Sequence, residues 1–148
     1  MKKRKYLVLI LLLSFMAAGV QGEGVNAILG EWKTVDDKTG DNFSIVRIYK
    51  GTDGLYYGEI AKMLVGAPGL QCTACKGEDH NAPLEGLVII RGMEYNADKN
   101  HLEGGKVLEP ETGKFYYGRI YPKEGKLVLR GSLDKRGIFG RSQTWERK

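Results

Sequence analysis

Turn signals recur at short, nearly regular intervals along the chain, and this spacing limits the possible folds more than any single motif does. Between them lie extended runs rich in Val, Ile, Tyr and Phe: "GEWKTV" (30–35), "FSIVRIY" (43–49), "LYYGEIA" (55–61), "LVIIRGM" (87–93), "HLEGGKVL" (101–108), "KFYYGRIY" (114–121), "KLVLRGSL" (126–133) and "RSQTWER" (141–147). Runs of this composition, bounded by Gly, Asp, Asn or Pro, predict strands. After residue 22 no segment repeats apolar residues at i, i+3, i+4 and i+7 over three turns, so no long helix is expected. The reading is all-β, with about eight strands.

Eight short strands joined mainly by short turns predict an antiparallel meander. Such a meander must hide its edges, and closure into a small barrel is the economical way to do so. A barrel of this size is filled by side chains or holds one small ligand. Glycines inside the runs, at 58, 92, 104, 105, 118 and 131, suit the sharp bends that closure needs. A two-sheet β-sandwich is the alternative.

The N terminus predicts export. "MKKRK" is a positive region, "YLVLILLLSFMAAGV" is an apolar run, and small residues follow at Ala17, Gly19 and Gly22. This is the layout of a signal peptide over 1–22, leaving 23–148 as one β-barrel domain in the periplasm or outside the cell. The apolar run is shorter than the roughly 20 residues of a spanning helix, so no stable membrane insertion is expected after cleavage. The whole chain carries 23 Lys+Arg against 18 Asp+Glu. Residues 1–22 hold four of the bases and none of the acids, which leaves 19 against 18 beyond them. The basic character thus belongs to the leader, and no field remains that would argue for nucleic acid.

Three constellations carry possible chemistry. In "EPETG", Glu109 and Glu111 flank Pro110. Either they are solvated turn carboxylates, with Gly113 as the left-handed residue, or they act with Asp134 or Glu59 as paired catalytic acids. "LYYGEI" and "FYYGRI" place Glu59 and Arg119 at equivalent positions. Tyr57, Glu59, Tyr117 and Arg119, with Arg91, form either an exterior ladder or an inward polar pocket for a ligand. By the same alternation Leu127, Leu129 and Leu133 share a face and Arg130 takes the other. "CTAC" predicts a Cys72–Cys75 disulfide in an oxidising compartment, contributing about 2 kcal/mol at most. A metal site from Cys72, Cys75 and His80 is the alternative, as is a redox pair. The histidines lie in turn-like surroundings and no GxSxG is present, so serine-hydrolase chemistry has no foothold; no phosphate-cradling glycine loop precedes a helix, and no cofactor is indicated.

Taken together, "GEW" near the start, "GGKVLEPETGKFY" in the middle and "FGRSQTWER" at the end resemble small exported bacterial proteins of domain-of-unknown-function family 2147. "CTACKGEDHNAPLEG" is similar to a form found in a subgroup. Glu109 stands where Asp is expected, and Ser132 where an aromatic residue is expected. The resemblance implies a β-barrel outside the cytoplasm and no agreed activity. "GEW" also resembles the glycine–x–tryptophan of lipocalin-like barrels. That likeness implies that Trp32 packs beneath an arginine of the last strand, with Arg147 of "TWER" the first choice and Arg141 the second.

The sequence therefore reads as an exported, non-enzymatic envelope barrel that binds a small molecule or an envelope partner. A carboxylate hydrolase and a structural or stress-related barrel are the other readings. Export makes a direct prediction: N-terminal sequencing of protein taken from the envelope should begin at Glu23, and retention of Met1 there would refute it.

Overall fold

The structure, a computed structural model, describes residues 24–36, 38–67 and 69–148. The predicted leader lies outside these residues. Nine strand segments are described: β1 (Gly30–Val35), β2 (Asn42–Lys50), β3 (Tyr56–Met63), β4 (Val88–Asn96), β5 (His101–Glu103), β6 (Lys106–Glu109), β7 (Lys114–Lys123), β8 (Lys126–Ser132) and β9 (Gly140–Arg147). All pairings are antiparallel. The sheet runs β1–β2–β3–β4, continues through β5 and β6 to β7, β8 and β9, and returns to β1. Because β5 and β6 both bridge β4 and β7, the nine segments fill eight positions of a closed barrel. The β3–β4 and β9–β1 pairings exclude the two-sheet sandwich.

The single run expected over 101–108 is interrupted at Gly104–Gly105. Gly104 has φ +81°, and a Cβ on Gly105 would strike the Arg91 carbonyl. The strand crosses β4 so closely there that only glycine fits, and the ladder breaks.

Alternation sorts the remaining side chains. Cross-strand partners Trp32 and Val46, Val46 and Ile60, Ile120 and Leu129, and Leu127 and Trp145 point inward, and these side chains belong to the buried core. With Ile48, Ile90, Met93 and Leu102 they fill the barrel. Gly58, opposite Ile48, leaves room for Ile90, whose Cδ1 would lie 2.6 Å from an added Cβ. Leu133 departs from its predicted face. β8 ends at Ser132, so Leu133 sits in the following loop and is 73% exposed. Two buried hydroxyls satisfy each other, with Thr34 Oγ1 2.8 Å from Ser44 Oγ.

One end of the barrel is organised around Trp32. The β1–β9 seam has only two register pairs, Trp32 with Arg147 and Lys33 with Glu146. The Arg147 guanidinium lies over the Trp32 ring, 4.1 Å from its centroid. It donates to the carbonyls of Leu29 (2.6 Å) and Ala27 (3.2 Å), while the indole N–H donates to the Ile28 carbonyl at 2.8 Å. One arginine thus joins the last strand to the ring of the first and to the 3-10 turn Gly24–Ala27 that precedes it. Comparing Arg147→Met in wild-type and Trp32→Leu backgrounds should yield a coupling of about 0.5–2 kcal/mol; a value indistinguishable from zero would rule out the stack as a closing force.

At the same end, His101 is buried within β5 rather than placed in a turn. Its Nε2 is 2.6 Å from Glu103 Oε2, and Asn96 Nδ2 donates to Glu103 Oε1 at 2.8 Å. The amide of Asn96 first, and His101 second, hold the Glu103 carboxyl down at about 2 from an ordinary 4.5. A carboxyl depressed on folding adds stability that is complete above its unfolded value and is lost as pH falls through the folded one. The stability advantage of wild type over Glu103→Gln should therefore be full at pH 6 and shrink as pH falls from about 4.5 towards 2, as read by thermal melts. An advantage that stays flat across this window would refute the assignment.

Candidate functional site

The connections 36–41, 64–87, 110–113 and 133–139 gather at the end opposite Trp32, as the strand directions require. Three polar side chains converge there from the inner face. On β6, Glu109 follows Val107 by two residues; on β7, Tyr116 precedes Gly118 by two; on β9, Arg141 and Gln143 continue the face of Trp145. Arg141 Nη2 donates to Glu109 Oε1 at 3.2 Å. The Tyr116 hydroxyl donates to Glu109 Oε2 at 3.3 Å, and Thr112 Oγ1 to the same oxygen at 2.6 Å. Glu109 thus ties three strands together across the mouth of the barrel.

"EPETG" is a turn, as its proline and glycine predict. Gly113 N–H donates to the Glu109 carbonyl at 2.8 Å, and Gly113 has φ +68°. Glu111 is exposed. Glu109 departs from the solvated-turn reading, because its strand position aims it at Arg141. The Cys72–Cys75 disulfide packs against this turn: both cysteines are buried, the Cys72 sulfur lies 3.4 Å from the Pro110 carbonyl, and a Cβ on Gly113 would strike the Ala74 carbonyl. With both sulfurs spent on each other, the alternative metal site at Cys72, Cys75 and His80 lacks its thiolates. His80 instead places Nδ1 3.0 Å from the Cys75 carbonyl oxygen.

The other sequence-derived candidates do not come together. Glu59 sits outside β3, where Arg47 lies 3.2 Å from it and 3.4 Å from Glu31. Tyr57, on the same outer face, donates its hydroxyl to Asp53. Arg91 occupies the outer face of β4, holds both oxygens of Asp79 at 2.9 Å, and lies over the Phe115 ring. Lys106 lies over the ring of Tyr117 at 3.3 Å. Arg119 is paired in register with Arg130 on the outside of β7 and β8. Asp134 accepts the N–H groups of Phe139 and Ile138, and the first of these bonds is the main cause that holds its carboxyl below the ordinary range. The inward polar pocket is therefore not built from Tyr57, Glu59, Arg91, Tyr117 and Arg119, and none of Glu109, Glu111, Asp134 and Glu59 lines either of the two clefts described next.

Clefts open on the surface among the described residues, two of them beside candidate residues. One, of about 410 Å³, runs along Asp79, Ala82, Glu85, Val88 and Arg91; the other, of about 310 Å³, lies beside Trp32, Pro122, Lys126 and Arg147. Among the described residues no group of three or more His, Cys, Asp or Glu is placed to hold a metal ion. The Glu109–Tyr116–Arg141 cluster was missed as a unit by sequence reasoning. Alternation along β9 puts Arg141 on the same face as Trp145, but only closure brings β9 opposite the end of β6.

A solved structure described as "Protein HP1028 from the human pathogen Helicobacter pylori belongs to the lipocalin family" is similar to this chain. It shares 23% identity over 81% of this chain and 82% of that one, with a TM-score of 0.70. This likeness shows the fold, a lipocalin-like barrel. No curated protein matches the chain. Residues 30–147, from the first strand to the last, match the family described as "Uncharacterized protein conserved in bacteria (DUF2147)", and the chain belongs to that family.

Proposed function

We propose that the protein is an exported, non-enzymatic barrel of the cell envelope that binds a small polar molecule, or a segment of an envelope partner, at the end opposite Trp32. The observation that carries this reading is the convergence of Glu109, Tyr116 and Arg141 above a filled core. Side chains from Trp32 to Met93 occupy the lower barrel, so a ligand would meet the polar mouth rather than a deep calyx. Arg141 is well exposed there and offers a planar fork of donors suited to a carboxylate or phosphate. A binding role also suits the carboxylates. Hydrolysis by paired carboxylates needs two acids in one site with different pKa values, whereas Glu109 pairs with Arg141, Glu59 shares Arg47 with Glu31, Asp134 caps its own loop and Glu111 is exposed. Export rests on the basic, apolar N terminus and on a disulfide of the kind that persists in oxidising compartments. Among the described residues no helix is long and apolar enough to cross a membrane.

Native mass spectrometry of protein purified from its own envelope tests this reading. A bound mass is expected, with occupancy about tenfold lower in Arg141→Met, the worth of one charge-assisted hydrogen bond. Glu111→Gln, at an exposed turn position, should leave occupancy unchanged. A bare polypeptide mass in every preparation would overturn the proposal.

A further inference from the structure

The loop between β8 and β9, residues 133–139, presents three large apolar side chains to water: Leu133 is 73% exposed, Ile138 60% and Phe139 71%. We propose that this loop, with the arginines beside it, is an interfacial docking surface for an anionic phospholipid bilayer.

The loop is held in place by hydrogen bonds. Leu133 N–H donates to the Phe139 carbonyl at 2.9 Å, closing the loop, and Gly137 N–H donates to the Asp134 carbonyl at 3.1 Å. Asp134 accepts two further loop N–H groups, and Ser132 Oγ donates to the Asp134 carbonyl at 2.8 Å. Arg130 reaches from β8 to the carbonyls of Gly137 (2.7 Å) and Ile138 (3.2 Å). Three large apolar side chains held exposed within the seven residues of one tethered loop are a concentration of the kind that interaction sites show.

Charge selects the partner. Lys135 and Arg136 lie in the loop, and Arg119 and Arg130 lie on the outer face beside it, against the single carboxylate Asp134. An ideal Cβ at Gly137 would lie 3.8 Å from both Arg119 Nη1 and Arg130 Nε, which places the loop against the two arginines. Arginines directly opposite across a ladder repel each other, and the Nε of Arg119 is buried without a hydrogen-bond partner beside that pair. An anionic surface would relieve that repulsion. Apolar residues projecting from a cationic rim are what binding at a headgroup boundary requires. A peptide partner would instead want a groove or a free strand edge. The barrel closes on itself, and neither cleft described above is lined by a residue of this loop. This inference does not depend on the Glu109–Arg141 site binding a ligand.

The barrel lies wholly within residues 30–147, so residues 23–148 can be tested without the apolar leader. Flotation with vesicles of phosphatidylglycerol and phosphatidylethanolamine should recover the protein, and vesicles of phosphatidylcholine alone should not. Ile138→Ser with Phe139→Ser should weaken binding by about tenfold or more. Lys135→Ser with Arg136→Ser should weaken it about fivefold per cation and reduce its sensitivity to salt. Phe139→Trp, which keeps the apolar bulk, should bind like wild type and shift its emission to the blue on vesicle addition. Equal recovery on both vesicle types, full binding after loss of Ile138 and Phe139, or unshifted emission from the Phe139→Trp variant would each overturn the proposal. So would binding to an acidic polypeptide in preference to the vesicles. A failure here leaves any bound mass at Arg141 untouched, so the two proposals fail separately.

Discussion

Everything in this structure depends on a short seam between the first strand and the last. An eight-position meander that did not close would leave β1 and β9 as two edges with unpaired backbone groups. Only two residue pairs join them, which is little ladder for a barrel of this length. Arg147 supplements it by covering the indole of Trp32 and binding the carbonyls of Ala27 and Leu29. Beyond the strand, Lys148 N–H donates to the Glu31 carbonyl and its ammonium reaches the Glu31 carboxylate. The seam is thus closed by side chains and carbonyls where the ladder is short.

Closure also decides what the interior can hold. With eight positions the bore is narrow, and two tryptophans with Ile48, Ile90, Met93 and Ile120 occupy it. A Cβ at Gly118 would run into Met93 and Val107, so the packing there leaves no room for even one more carbon. Polar side chains that point inward therefore gather where the packing ends, at the mouth, and that is where Glu109, Tyr116 and Arg141 meet. Charges nearer the middle of the strands face solvent. The Glu31–Arg47–Glu59 ladder is one such row, and exposed pairs of this kind add little stability.

The irregular segment 64–87 follows a different logic. It leaves β3 at the mouth, and its disulfide packs against the 110–113 turn rather than bracing the barrel from within. Cys72, Cys75, Leu87 and Leu108 are buried together, and Gly113 lets the turn come up against Ala74. The disulfide constrains a loop of only four residues, so its effect is local. Its position beside Pro110 links the loop to the strand that carries Glu109.

The strands were legible in the residues alone because local chemistry specifies them. β-branched and aromatic runs between Gly, Asn, Asp and Pro have few other conformations open to them, and β1, predicted over 30–35, spans those residues. The Cys72–Cys75 pairing and the turn at 110–113 were legible for the same reason, each being set by neighbours within a few residues. Alternation assigned Arg141 and Trp145 to one face but could not say which face of "YYGEI" or "YYGRI" would be buried, since neither is cleanly apolar. Nor could it reveal that Gly104–Gly105 breaks a strand, because that break arises from the approach of Arg91 in β4. Tertiary structure decided these matters, along with the meeting of Glu109 with Arg141 across 32 positions of sequence and the display of Ile138 and Phe139. Each depends on the register and curvature of the closed barrel, and those are properties of all the strands together rather than of any one run of residues.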